Sequence, residues 1–351
     1  MEQPYVSVIV PAFNAGSTLK ECLQSLHTQT YPHEHYEVIV VDDGSTDQTP
    51  VIAQSESRTV FLQQTHEGPA TARNLGSLHA RGNILIFTDA DCTASETFIE
   101  EMVKPFNDPH IVGVKGAYRS LQKGCWARFA QIEFEERYAK LVKAESIDFV
   151  DSHAAAFRKD TFCEVGGFDP HFPVANNEDV DLSYKIARLG YRMVFNPNAI
   201  VFHHHPDNAL RYLRTKFLRA YWRMLVYRRF PEKILSDTYT PQTLKIQIAF
   251  TALIFLNLFL GLFKPAALYG LIYLIAGFLL ATLPFIYRVS KHDPKLILFS
   301  EFALFCRSLV FGLGVIAGFL SQRRRDLLFP TILIISDIIA SFAAYTGAFW
   351  I

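Results

Sequence analysis

The sequence predicts an α/β domain with a mostly parallel sheet, followed by a helical membrane domain. Three observations carry that expectation. Over roughly the first 205 residues, short Val- and Ile-rich runs alternate with stretches of helical period. Carboxylates gather where those runs end, and apolar segments of bilayer length fill the last third.

The predicted strands are "YVSVIV" (5–10), "YEVIVV" (36–41), "TVFLQ" (59–63), "NILIF" (83–87) and "IVGVKG" (111–116), each bounded by turn residues. Between them, "STLKECLQSLHTQ", "QTPVIAQSES" and "GPATARNLGSLHARG" place apolar residues at helical spacing. Strands that are apolar along their whole length need both faces covered, which helical crossovers between parallel strands provide. Such sheets bind ligands at the carboxyl ends of their strands. Both "VVDDGSTD" and "IFTDADC" deliver carboxylates to that edge.

Composition narrows the class. A chain of 351 residues is long enough for two domains. Lys+Arg and Asp+Glu balance at 34 each, so no basic excess points to nucleic acid, and no nucleic-acid partner is expected. Five scattered cysteines (Cys22, Cys92, Cys125, Cys163, Cys306) form no CxxC pair, which fits a reducing compartment. The opening "MEQPYVSVIVPAFN" lacks the basic region of a signal peptide, so the first domain, 1–207, is expected in the cytoplasm.

From residue 208 the character changes. No Asp or Glu occurs between 208 and 231, and Leu210, Leu213, Phe217, Tyr221 and Met224 recur at spacings of three or four. Arg211, Arg214, Arg219 and Arg223 are interleaved with them. Residues 208–243 therefore read as a basic amphipathic helix region on a membrane surface. Residues 244–351 form the membrane domain, with apolar stretches at 244–263, 265–287, 296–320 and 329–351. The loop carrying Arg288, Lys291 and Lys295 is expected inside. Segment 296–320 holds Glu301 and Arg307, costly in lipid, and Gly312, Gly314 and Gly318, where the chain can bend. A re-entrant or interfacial hairpin is expected there, leaving three true spans; four spans is the alternative.

The residues with chemistry start at "ILIFTDADCT". A buried strand ends, and Asp89 and Asp91 follow with one residue between them. Residues two apart on an extended chain share a side, and paired carboxylates repel unless a cation or a proton intervenes. A hard divalent ion, Mg²⁺ or Mn²⁺, would suit oxygen ligands of this kind. In "VVDDGSTD", turn and capping chemistry accounts for Gly44 and Ser45 but not for adjacent Asp42 and Asp43 after a strand. In "EGPATARNLG" a helix start carries Arg73, suited to phosphate, though a surface arginine would look the same. "ANNEDVDL" opens a helix with Glu178, Asp179 and Asp181, more acid than capping needs; a carboxylate there suits a general base. "AIVFHHHP" reads as a strand ending in His203, His204 and His205, of which His203 or His205 can join the aspartates.

Taken in order, "VSVIVPAFNAGSTLKECLQSL", "VIVVDDGSTD", "GPATARNLG", "FTDADC", "GGFD", "NEDVDLSYKIARLGY" and "IVFHHHP" resemble the motifs of family 2 glycosyltransferases with the GT-A fold. The resemblance covers about the first 205 residues. It implies an inverting transferase that uses a nucleotide-diphosphate sugar, UDP-linked by default, and Mg²⁺ or Mn²⁺. Residue by residue, it implies Pro11, Phe13 and Asp43 around the nucleoside, Arg73 near the diphosphate, and Glu178 at the donor. Asp89 and Asp91 would hold ribose and metal, His203 would be a further metal ligand, and Asp179 the base. Two departures stand out. The Gln-x-x-Arg-Trp motif of processive synthases is only vaguely approached by "LRAYWRM", and Ser152 and His153 stand where the family usually has Asn.

The expected function is therefore a multi-pass enzyme of the cell membrane, with its catalytic domain in the cytoplasm and lipids around its helices. It glycosylates a hydroxyl of a saccharide or lipid-linked saccharide in glycan or cell-envelope synthesis. Two rivals are a polyprenyl-phosphate glycosyltransferase, which gains little from a base beside an already ionised acceptor, and a non-catalytic nucleotide-sugar-binding scaffold.

Overall fold

A computed structural model describes residues 3–172 and 176–321. The chain divides into two units, one of residues 1–121 and 138–204, the other of 122–137 and 205 onward. A short internal stretch, 122–137, thus groups with the C-terminal part.

In the first unit the order is β1 (Val6–Ala12), α1 (Leu19–His27), β2 (Tyr36–Asp42), α2 (Thr49–Ser55), β3 (Thr59–Gln63), α3 (Pro69–His79), β4 (Ile84–Phe87), β5 (Thr93–Ala94), α4 (Phe98–Val103) and β6 (Ile111–Arg119). After the interposed helix α5 (Cys125–Leu141) come β7 (Ala155–Arg158), α6 (Lys159–Glu164), α7 (Glu178–Arg188) and β8 (Arg192–Phe202). Among the described residues the strands form one sheet in the order β3-β2-β1-β4-β7-β6-β8-β5. The expected parallel block is β3-β2-β1-β4. β7 then runs antiparallel to β4 and β6, so the sheet is mixed. The four-residue β7, "AAFR", has too little sequence pattern to announce itself.

β1, β2 and β4 are buried along their whole length, as apolar central strands must be. Pro11 lies in central β1 without cost, because β4 pairs with β1 only as far as Ile9. From β1 the chain winds outward through β2 to β3, then returns over the sheet to β4 on the other side of β1. The strand order thus reverses beside β1, and the crevice for a ligand opens at the carboxyl ends of β1, β2 and β4.

The second unit holds most of α5, then α8 (Ala209–Arg229), α9 (Gln242–Gly261), α10 (Leu271–His292) and α11 (Ile297–Ser321). Among the described residues three helical segments, Gln242–Gly261, Pro265–His292 and Pro294–Ser321, are long and apolar enough to cross a membrane. The stretch 329–351 lies outside the described residues.

The hairpin expected at 296–320 is replaced by α11, one continuous helix of 25 residues. Its glycines serve close packing rather than bending. A Cβ on Gly314 would meet the Phe217 carbonyl oxygen at 2.5 Å, and one on Gly318 the Tyr221 carbonyl oxygen at 2.5 Å. Glycines four apart let α8 and α11 approach at backbone distance. The amphipathic α8 consequently buries Tyr212, Leu213, Phe217 and Ala220. The charged residues of α11 have polar partners. Arg307 donates to Glu133 (2.6 Å) and Gln247 (2.6 Å), and Glu301 accepts from Thr282. Glu133 also accepts from Lys216 and Tyr212, both at 2.8 Å. Burial opposes the charge of Glu133, but Lys216, Arg307 and Arg137 outweigh it and hold the carboxyl well below its ordinary value.

Candidate active site

Beyond β4 the chain does not stay extended. Asp89 to Cys92 form a tight turn, closed by the Cys92 N–H on the Asp89 carbonyl at 3.0 Å. The expectation that Asp89 and Asp91 share a side of an extended strand is therefore corrected. Each carboxylate has its own cationic or donor partner. Asp89 accepts from Arg73 Nη2 at 2.8 Å, and Asp91 lies 2.9 Å from His203 Nε2. The repulsion between them is relieved from two directions by the protein itself.

Arg73 enters from α3 and is 1 % exposed. Its other terminal nitrogen donates to Glu178 Oε1 at 2.9 Å, so one guanidinium bridges the aspartate turn and the start of α7. It packs over the ring of Phe168. Phe168 is held in turn by Asn74, whose amide donates to the Phe168 carbonyl (2.7 Å) and whose oxygen accepts the Phe168 N–H (2.9 Å). Gly167 is required here: its φ is +65°, and a Cβ would meet the Asn74 oxygen at 2.6 Å. "ARN" and "GGFD" are thus two halves of one clamp.

Asn177, in the left-handed conformation at φ +66°, turns the chain into α7. Glu178 is buried, with Oε2 accepting the Asn176 N–H, whereas Asp179 is half-buried. Burial first, then the charge of Asp179, pushes the Glu178 carboxyl up to about 7 against the opposing pull of Arg73.

At the ends of β1 and β2, Pro11 is buried while Phe13 and His66 are exposed and stacked, ring centroids 4.0 Å apart. Asp43 is buried beneath them and accepts the N–H groups of Glu67 (2.8 Å) and Gly68 (3.0 Å) at the entrance to α3.

With this geometry in view, the comparisons with known proteins are informative. Residues 7–166 match the sequence model of Glycosyl transferase family 2. The chain carries a family 2 glycosyltransferase domain.

This domain accounts for the curated relatives. Glycosyltransferase AglE of Haloferax volcanii is 29% identical over 211 residues, 57% of this chain and 67% of that protein. Pre-mycofactocin glycosyltransferase of Mycobacterium tuberculosis is 30% identical over 211 residues, again 57% of this chain but only 43% of its own length. Among solved structures, the mannosyltransferase PcManGT of Pyrobaculum calidifontis, in complex with GDP-Man and Mn²⁺, aligns over 93% of this chain and 88% of its own. Its TM-score is 0.61 at 21% identity, which speaks for the fold. The glycosyltransferase domain has the GT-A fold.

The donor set of the glycosyltransferase domain fits a hard divalent cation. Ligand atoms of Asp91, Cys92 and His203 lie within 4.8 Å of one another. Burial, and then the nearby aspartates, push the Cys92 thiol well up, so the sulfur stays protonated and carboxylate oxygen and imidazole nitrogen remain as donors. Burial works against the charge of Asp91, but the hydrogen bond and charge of His203 hold its carboxyl below the ordinary value.

The two histidines left open by the sequence separate clearly. His203 reaches Asp91, while His205 belongs to the second unit, 4 % exposed, bonded to Gln131 at 3.0 Å and stacked on Phe134. β8 ends at Phe202, so strand alternation no longer relates residues 203 and 205.

Two residues beside the candidate site, Lys115 and Tyr118, gave no sequence signal. The Tyr118 hydroxyl contacts His203 Nδ1, and its ring lies 4.6 Å from that of His153. Lys115 is fully buried and ion-paired with Asp151. Burial first, then Lys115, pushes His153 down to about 4, which makes it a neutral imidazole at neutral pH. Lys115 and Tyr118 sit in an apolar strand pattern, where nothing marks them as partners of residues far along the chain.

Proposed function

We propose that the protein is a membrane-anchored, inverting, metal-dependent glycosyltransferase. It moves a sugar from a nucleoside-diphosphate sugar, UDP-linked by default, to a hydroxyl of a saccharide or lipid-linked saccharide in glycan or cell-envelope synthesis. The observation that carries this reading is the Arg73 bridge. It ties Asp89, on the donor side, to Glu178, the residue beside the expected base, and so sets leaving group and base in one register.

In this reading Phe13, Pro11 and Asp43 receive the nucleoside. Arg73, buried and engaged with two carboxylates, positions Asp89 and Glu178 rather than touching the diphosphate. Asp89, Asp91 and His203 would hold Mg²⁺ or Mn²⁺, which when bound supplies positive charge against the departing diphosphate. Asp179, the more exposed of the acidic pair, removes the proton from the acceptor hydroxyl. The freed oxygen attacks the anomeric carbon on the face opposite the nucleotide. The bond from that carbon to the phosphate oxygen breaks, the nucleoside diphosphate leaves, and the configuration inverts. Glu178, anchored at both oxygens, holds the first turn of α7 so that Asp179 faces the acceptor.

The apolar helices α9, α10 and α11 anchor the enzyme in the cell membrane, with the glycosyltransferase domain cytoplasmic and the basic loop carrying Arg288, Lys291 and Lys295 on the same side. The GDP-Man and Mn²⁺ bound by the Pyrobaculum enzyme support the donor and ion classes. Purified full-length protein, screened against a panel of nucleotide sugars with and without Mn²⁺, tests the proposal. Mn²⁺-dependent release of nucleoside diphosphate from one donor is expected; no release from any would favour a binding scaffold.

A further inference from the structure

We infer that the side chain of His66 occupies the place of the donor's nucleobase and swings out when the nucleotide enters. The inference rests on the nucleoside pocket proposed above. Asp43 is 2 % exposed, and three donors already hold its carboxylate. Oδ1 accepts from Gln64 Nε2 at 2.7 Å and from the Glu67 N–H at 2.8 Å. Oδ2 accepts from the Gly68 N–H at 3.0 Å. His66 Nδ1 stands 2.9 Å from Oδ2 and hydrogen-bonds the Asp43 carbonyl oxygen at 3.2 Å, so its ring covers the remaining approach to the carboxylate and a base that is to donate there must displace it.

Two of the three donors are backbone amides at the entrance to α3 and cannot leave without moving the helix. His66 can. Its side chain is 57 % exposed, and its ring lies on Phe13 with centroids 4.0 Å apart and planes at 21°. Gly44, at φ +76°, leaves room for the His66 nitrogen, which would stand 3.0 Å from a Cβ there. Rotation about the side-chain bonds alone is enough to carry the ring off Phe13. A flat heteroaromatic ring that stacks on Phe13 and turns a ring nitrogen to within 2.9 Å of the Asp43 carboxylate shares two features with a bound uracil or guanine, a π-face and a ring nitrogen at that carboxylate. The imidazole is a stand-in for the base. It covers a buried carboxylate while the pocket is empty, and lowers apparent affinity by the fraction of time it remains in place.

Titration calorimetry of UDP and GDP into the full-length protein in detergent, with Mn²⁺ present, tests this. For the nucleotide that binds, His66→Ala is expected to tighten the dissociation constant by about three- to tenfold and to speed association. His66→Phe, which keeps a ring on Phe13 but no ring nitrogen toward Asp43, is expected to fall between wild type and His66→Ala. Phe13→Ala is expected to weaken binding. If His66→Ala weakens binding as Phe13→Ala does, the imidazole stays as a stacking partner and the inference is overturned; an unchanged constant overturns it equally. If Phe13→Ala and Asp43→Asn both leave affinity unchanged, the pocket proposal itself fails, and this inference fails with it.

Discussion

Nε2 of His203 stands 2.9 Å from Oδ2 of Asp91, while its Nδ1 faces the hydroxyl of Tyr118. A metal-binding histidine is ordinarily oriented by a partner on its second nitrogen, and Tyr118 is placed to be that partner. Asp91→Ala should lose most turnover and the metal-dependent part of nucleotide binding. His203→Ala should weaken Mn²⁺ binding, read by electron paramagnetic resonance, more than it weakens nucleoside binding. Tyr118→Phe should lower Mn²⁺ affinity by about tenfold or more. Full wild-type activity in EDTA would refute the metal assignment.

Asp179→Asn should bind donor nearly as well as wild type yet transfer sugar about 10²–10⁴ times more slowly, the usual effect of removing a general base. Single-turnover kinetics with a saturating donor separate the two. Wild-type turnover in Asp179→Asn together with an inactive Glu178→Gln would move the base to Glu178.

Glu178 makes stability depend on pH. Its carboxyl is raised in the fold from 4.5 to about 7, so the folded state binds this proton more tightly than the unfolded chain does. The stability it contributes is complete below 4.5 and is lost as pH rises through about 7, where a buried carboxylate must ionise. Melting temperatures of the nucleotide-free protein should fall across that window. In Glu178→Gln the fall should be shallower, and identical slopes would dismiss the shift.

Two glycines of α11 distinguish packing from flexibility. A Cβ at Gly312 would find its nearest neighbour, Ile248, at 3.6 Å, an ordinary contact, whereas at Gly314 it would stand 2.5 Å from the Phe217 carbonyl. Gly312→Ala should be neutral or slightly stabilising, because alanine favours helix. Gly314→Ala should destabilise by about 1–3 kcal/mol through forced separation of α8 and α11. Equal melting temperatures for the two variants in detergent would show that the close approach carries no stability.

Glu133 holds together charges that apolar packing surrounds. Glu133→Ala would leave Lys216 and Arg307 buried without their shared counter-ion, at a cost of about 3–5 kcal/mol. Thermal unfolding or protease resistance of the detergent-solubilised protein checks this, with Arg211→Ala on the exposed face of α8 as the neutral control.

By itself the sequence determined what depends on local pattern. Apolar β1, β2 and β4 announce a covered parallel sheet through their composition, and "TDAD", "DDG" and "NNED" announce chemistry because each puts more carboxylate at a strand or helix end than turns require. The apolar stretches of α9 and α10 are legible for the same reason. Tertiary structure decided what depends on distance along the chain. Arg73 meets Glu178 across 105 positions, and Arg307 meets Glu133 across 174, pairings that no periodicity encodes. The glycines and charges of α11 looked like bends and obstacles when its neighbours were unknown. Packed on α8, the glycines become the means of close approach, and Arg307 is neutralised by Glu133. Likewise His203 and His205 were equivalent in sequence and are separated only by where β8 stops. The strand's end, not the spacing of the histidines, determines which imidazole reaches Asp91.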